Sequence, residues 1–303
     1  MITTIRGAAP QKGTAIALGF FDGVHLGHLA VMGRAVAAAR ADGLIPAVFT
    51  FTTHGATPAG KRGYTHLATE RERYELLERA GAQLIVCPDF HEIQGLTPRE
   101  FAENILAGQL KAKAVCCGED FRFGKNAAAG ADELRAYCEP LGVAVHLVGE
   151  VLYGGEPISS TRIRRQICQG GMEEAAAMLG RAYSFSAPVI QGKHLGRRLG
   201  FPTINQPLPP GMTLPLAGVY ATRVQVGEEV FTGVTNIGPQ PTVGGKTPLA
   251  ETYILDYQGD LYGRELRLEI CHRLREVRKF ASVEELTATV RENARQARAL
   301  LEV

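Results

Sequence analysis

The chain contains no tryptophan, and aromatic residues make up only 7% of its 303 positions. It has no large excess of either charge. Thirty-three lysines and arginines face 31 aspartates and glutamates, a formal net charge of +2. That near balance gives no whole-chain signal for a nucleic-acid or membrane partner. No apolar run approaches the ~20 residues that a membrane span needs. The opening "MITTIRGAAPQKGTAIAL" lacks the charged start, long apolar core and small-residue cleavage site of a secretory leader, so a cytoplasmic location is expected. Six cysteines are scattered without a CxxC pair, and Cys116 and Cys117 are adjacent. This spacing fits buried thiols in a reducing compartment rather than a disulfide framework or a zinc knuckle.

The length exceeds what one hydrophobic core usually fills, so two domains are expected. In the first half, short apolar runs at Thr14–Leu18, Ala47–Phe51, Gln83–Cys87, Ala114–Cys117 and Val143–Val148 alternate with helical stretches near 27–42, 69–80, 98–110 and 131–141. Continuous apolar strands alternating with helices predict a parallel sheet covered on both faces, an α/β domain. Thr97-Pro98-Arg99-Glu100 combines an N-cap, a first-turn proline and a capping-box glutamate. From about Tyr183 the pattern turns β-rich, with turn residues at Gly227 and at Gln258-Gly259, which predicts an antiparallel sheet or small barrel. Ser282 and Glu285 predict a capping box on a closing helix. The shift in composition sets domains at 1–180 and 181–303.

The stretch "LGFFDGVHLGH" places His25 and His28 three residues apart after an apolar run and a glycine turn. Zinc-binding helices place histidines four apart around a glutamate, and no third ligand is near. A nucleophile–base pair has only Asp22 close by. A strand, a turn at Gly23 and a helix start near Gly27 instead offer free N–H groups and a partial positive charge to an anion. Further along, "ISSTRIR" brings the Ser160 and Thr161 hydroxyls and Arg164 to another helix start, a pattern that suits phosphate or serves as an ordinary N-cap. "CGEDFRFGK" reads as a turn with two core phenylalanines. "GKHLGRRLGFPTIN" is a basic, glycine-rich loop ahead of a polar strand. There the Thr203 hydroxyl and Asn205 amide supply oxygens of the kind Mg²⁺ prefers. Glu251 lies on a later strand, where a solvated glutamate is the ordinary reading.

Together these motifs resemble the bacterial bifunctional riboflavin kinase/FAD synthetase family over almost the whole chain, and in family order. "GFFDGVHLGH" resembles the HxGH signature of nucleotidylyltransferases, with "FTFTTH", "GEDFRFG" and "ISSTRIR" following. "GKHLGRRLGFPTIN", "GVYA", "GVTNIGPQPT" and "AETYILDYQGDLYG" resemble the riboflavin kinase module. The resemblance implies an N-terminal Rossmann-like nucleotidylyltransferase domain and a C-terminal six-stranded antiparallel β-barrel with a terminal helix. It implies that riboflavin and ATP give FMN, and that FMN and ATP then give FAD and pyrophosphate, both with Mg²⁺. His25 and His28 would contact nucleotide phosphates. Gly23, Ser160, Thr161, Arg164, Gly192 and Gly196 would line phosphate sites. His54, Asp120 and Phe121 would face the flavin, and Thr203 and Asn205 would hold Mg²⁺. Glu251 falls where the family has its catalytic carboxylate. The chain departs from the pattern at Thr53 and Gly55 (usually Pro), at Ile204 (PTIN for PTAN), at Val277 (usually acidic) and at Asn293 (often Asp). The alternatives are a single-activity nucleotidylyltransferase with a degenerate barrel, and a flavin-binding protein without catalysis.

Overall fold

A computed structural model describes residues 1–5, 7–8, 10–52, 64–192, 196, 199–239 and 248–301. The chain divides into two compact units, Met1–Tyr64 with Glu70–Ser159, and Thr65–Thr69 with Ser160–Val303.

The first unit is an α/β layer structure. Its elements are β1 (Ile2–Thr3), β2 (Thr14–Leu18), α1 (Leu26–Asp42), β3 (Ile45–Phe49), α2 (Glu70–Arg79), β4 (Leu84–Val86), α3 (Phe90–Ile93), α4 (Pro98–Glu100), β5 (Ala112–Gly118), α5 (Ala131–Cys138) and β6 (Ala144–Val148), followed by the short hairpin β7 (Leu152–Tyr153) and β8 (Glu156–Pro157). Six strands pair in parallel in the order β1-β4-β3-β2-β5-β6. Every residue of β2 is buried, as a run covered on both faces requires. Alternate side chains feed two cores. Ile16, Leu18, Phe49 and Val86 meet Phe101, Leu106 and Leu134 on one face. Ala17, Val48, Ile85 and Cys116 meet Val31, Met32 and Ala35 of α1 on the other. The order of the sheet reverses between β2 and β5, and in open α/β sheets ligands bind at the carboxyl ends of strands at such a point.

The predicted helix 98–110 is corrected in one respect. After the capping box of Thr97 and Glu100, residues Phe101–Gln109 form a π-helix, and the Leu110 N–H donates to the Ile105 carbonyl at 2.9 Å. Its buried side chains, Phe101, Ile105, Leu106 and Leu110, recur every four to five residues, which the wider turn keeps on one face.

The second unit opens with α6 (Ser160–Gln169) and α7 (Met172–Leu179). A six-stranded antiparallel sheet follows, made of β9 (Tyr183–Pro188), β10 (Thr203–Pro207), β11 (Gly218–Val226), β12 (Glu229–Pro239), β13 (Pro248–Ile254) and β14 (Glu265–Arg275), and α8 (Val283–Leu301) closes the chain. The strand order is β10-β13-β12-β11-β14-β9. The sheet curls until its edges meet. Ile190 donates its N–H to the Asn205 carbonyl at 2.8 Å, and the Gln206 amide nitrogen donates to the carbonyls of Ala187 and Leu266. One face carries a buried hydroxyl ladder, Thr222–Thr235–Thr252, at 2.7 and 2.9 Å. The other face, at Val219, Ala221 and Val234, packs on Ala294, Ala297 and Leu301 of α8.

The N-terminus of α8 differs from the expected capping box. Ser282 Oγ accepts the Glu285 N–H, but the Glu285 carboxylate takes the N–H of Ala281 instead of Ser282. Five of the six cysteines are buried as expected, and Cys168 is exposed. Burial pushes the Cys116, Cys138 and Cys271 thiols up to about 11, and Cys117 to about 12.

Candidate active sites

The turn between β2 and α1 is backbone-strained. Phe21, Gly23 and Val24 have φ of 54°, 74° and 41°. A β-branched residue at positive φ is an outlier, and such strain persists where surroundings over-determine the conformation. Several groups pin this turn. Phe21 is buried. Asp22, 2% exposed, accepts the Tyr64 hydroxyl at 2.6 Å. The Phe20 carbonyl accepts from Thr50 Oγ1 at 2.9 Å and from the buried Arg73 at 3.2 Å. Arg73 also donates to the Phe51 carbonyl, so one guanidinium ties together the segments that follow β2 and β3. It stands beside Cys87, whose thiol burial pushes up, while the Tyr74 hydrogen bond and the Arg73 charge pull it down.

His25 is the N-cap of α1. Its Nδ1 accepts the His28 N–H at 3.3 Å, and the two rings stack with centroids 3.6 Å apart at 16°. With Nδ1 accepting, the neutral His25 ring carries its proton on Nε2. Phe21 meets the His28 ring edge-on at 5.2 Å. A Cβ on Gly27 would stand 3.2 Å from the His25 ring and 3.9 Å from the Ile158 carbonyl, so the start of the ISST stretch lies beside this turn. No acidic residue occupies the first turn of α1. A 17-residue helix start with two imidazoles and no carboxylate suits an anion. Among the described residues no cluster of three or more His, Cys, Asp or Glu is placed to hold a metal.

The remaining expected residues of this module are distributed as follows. Asp120 and Phe121 follow β5 in a turn closed by the Phe121 N–H on the Gly118 carbonyl. Phe121 stacks on Phe123 at 5.8 Å. Ser160 and Thr161 begin α6, and Arg164 Nε donates to the Thr65 carbonyl at 2.6 Å. These three belong to the second unit and the histidines to the first. His54 lies outside the described residues.

In the second unit, β10 and β13 pair so that Asn205 faces Glu251 across the ladder, and Thr203 faces Tyr253. Thr203 Oγ1 donates to Glu251 Oε1 at 3.0 Å. Asn205 is 8% exposed. A Cβ on Gly192 would overlap the Asn205 amide nitrogen, and one on Gly196 would overlap the Phe201 carbonyl. Position 196 therefore needs glycine, because the overlap is with backbone, whereas a side chain at 192 would force the Asn205 amide to move. The Thr203 hydroxyl, Asn205 amide and Glu251 carboxylate form an oxygen-rich cluster, the donor chemistry that Mg²⁺ takes. At the far end of the sheet, Arg275 Nε donates to Asn293 Oδ1 at 2.9 Å. Asn293 thus keeps a partner where the family often has aspartate, while Val277 is 53% exposed.

Sequence reasoning missed Arg73, Tyr64 and the strain at Val24. Arg73 lies within "ERERYELLER", where nothing separates a buried arginine from solvated ones. The strain follows from packing around Phe21 and has no local signature.

Comparison with known proteins adds an independent finding. Residues 8–162 match the FAD synthetase family, and residues 179–301 match the riboflavin kinase family. A bifunctional riboflavin kinase/FMN adenylyltransferase of Escherichia coli (strain K12) is 33% identical over 93% of this chain and 91% of its own. That of Bacillus subtilis (strain 168) is 32% identical over 95% and 92%. A crystal structure described as a macrolide-efflux protein from Streptococcus pneumoniae is 29% identical, with a TM-score of 0.90 over 98% of this chain and 99% of that one. Among the described residues here, no helix is long and apolar enough to cross a membrane. With two successive family matches and near full-length relatives, the chain belongs to the bifunctional riboflavin kinase/FMN adenylyltransferase family.

Proposed function

We propose that this chain phosphorylates riboflavin with ATP to give FMN, and adenylylates FMN with a second ATP to give FAD and pyrophosphate. The observation that carries this reading is the tiling of the chain by the two family matches, each holding its own polar cluster. We assign residues 1–180 to adenylyl transfer and 181–303 to the kinase.

In the kinase step the ribityl 5′-hydroxyl oxygen attacks the γ-phosphorus of ATP, and the bond to the β-bridging oxygen breaks as ADP leaves. Glu251 accepts the hydroxyl proton. The Thr203 hydroxyl on Oε1 fixes the carboxylate, which supports that role. Thr203 and Asn205 would hold Mg²⁺, which when bound neutralises phosphate charge. Gly192 and Gly196 let the loop backbone approach the phosphates.

In the adenylyl step a phosphate oxygen of FMN attacks the α-phosphorus of ATP, and the bond to the β-phosphate breaks to release pyrophosphate. No covalent enzyme intermediate is needed, so positioning and charge stabilisation do the work. His25 and His28 donate to phosphate oxygens at the start of α1. Gly23 gives the turn its close approach. We assign Ser160, Thr161 and Arg164 to ATP phosphates, and Asp120, Phe121 and His54 to flavin binding.

The test is a time course with riboflavin, ATP and Mg²⁺, products separated by chromatography. FMN should appear first and FAD later. Glu251→Gln should abolish FMN formation and leave FAD formation from supplied FMN intact. FAD made only from supplied FMN by the wild type would indicate a single-activity adenylyltransferase. No turnover would indicate a flavin-binding protein.

A further inference from the structure

A row of paired positions crosses the second sheet, from Asn205 in β10 to Glu251 in β13, Asn236 in β12, Val219 in β11 and Arg275 in β14. Directly opposed residues of an antiparallel sheet share a face. Asn236 is therefore the neighbour of Glu251 on the side away from Asn205. On its other side Val219 is buried against α8. The Asn236 Oδ1 is covered and has no hydrogen-bond partner. A covered carbonyl without a donor carries a desolvation cost, and such atoms in native folds call for an explanation. The Thr203 hydroxyl, on the same face two strands away, already donates to Glu251.

We propose that Asn236 accepts a hydrogen bond from a second ribityl hydroxyl, beside the one that reacts at Glu251, and so selects polyol-bearing flavins. The proposal rests on the kinase reading above. Adjacent strands lie about 4.8 Å apart, a separation that hydrogen bonds from two hydroxyls of one extended polyol bridge. A chain laid across β13 and β12 meets Glu251 with one hydroxyl and Asn236 with another. The terminal amide torsion is soft, so the oxygen turns to the incoming hydroxyl with little penalty. A bond made at a dry position is strengthened by the low local dielectric.

The experiment compares full-length wild type with Asn236→Leu and Asn236→Ser, using two acceptors. One is riboflavin. The other is a flavin whose N10 chain has the same length and keeps only the terminal hydroxyl. Asn236→Leu should lower kcat/KM for riboflavin about tenfold, mostly through KM, the scale of one lost hydrogen bond at such a site. The analogue should change by less than about twofold, as should the KM for ATP, since neither meets Asn236. FAD formation from FMN should be unaffected. Asn236→Ser, smaller and polar, provides the reading if the leucine variant does not fold. An equal loss with both acceptors, or no loss with riboflavin, overturns the assignment of Asn236. If the wild type phosphorylates neither acceptor, the kinase reading fails and takes this inference with it.

Discussion

His25 serves two structural ends at once, as N-cap of α1 and as the inner member of a stacked ring pair. Replacing it would disturb the helix start as well as the site, so His28 is the cleaner probe. His28→Ala should slow FAD formation from FMN by about 10²–10³-fold, the cost of one charge-stabilising donor, and leave FMN formation unchanged. Both rates are read by the same chromatography, and an unaltered FAD rate would remove His28 from the site. The mirror experiment is Gly192→Ala. The new methyl overlaps the Asn205 amide nitrogen, so the amide must move. FMN formation should fall at least about tenfold, given how steeply phosphoryl transfer depends on positioning, while adenylyl transfer continues. The histidine pair, Thr203, Asn205 and Glu251 were legible because their spacing is local or tied to a motif. Tyr64 on Asp22, Arg73 on two carbonyls and Asn236 beside Glu251 were not, because each partner comes from a distant part of the chain.

At the scale of the element, caps and periodicity decided what was readable. The Thr97 box lies within four residues and forms as its sequence implies. Thr97→Ala should cost about 1 kcal/mol of stability, measured by denaturant unfolding. Glu100 is held below the usual carboxylate range by the Thr97 backbone N–H and then by the Thr97 hydroxyl. A carboxyl lowered in the folded state stabilises above its unfolded value and loses that contribution as pH falls through its folded value. The midpoint difference between wild type and Glu100→Gln should therefore be largest near neutrality and close below about pH 4. A constant difference across that range would assign the effect to helix propensity. The π-helix that follows was not legible. Phe101, Ile105, Leu106 and Leu110 share a face only on the wider i→i+5 turn, and that all four are core residues is set by the packing of the sheet, which no local pattern shows.

At the scale of the whole molecule, both proposed steps use ATP and would need a divalent cation. Removing all divalent cations with EDTA should stop FMN and FAD formation together, and Mg²⁺ should restore both. A zinc-selective chelator with Mg²⁺ in excess should change neither rate. Inactivation that only zinc reverses would return His25 and His28 to consideration as metal ligands.

The sequence by itself determined the class of each half. Unbroken apolar runs between helices require a sheet covered on both faces, and alternating runs between turns require an antiparallel one. It also singled out the short segments proposed here for the chemistry, since glycine turns, helix starts and polar strand residues are recognisable from neighbours a few positions away. The tertiary structure alone decided the strand order, the closure of the second sheet at Ile190 and Asn205, and the register that sets Asn205, Glu251 and Asn236 side by side. Register is a relation between strands tens of residues apart, and a shift by one residue would send every side chain of a strand to the opposite face. No local pattern encodes that choice. The packing of the whole sheet does.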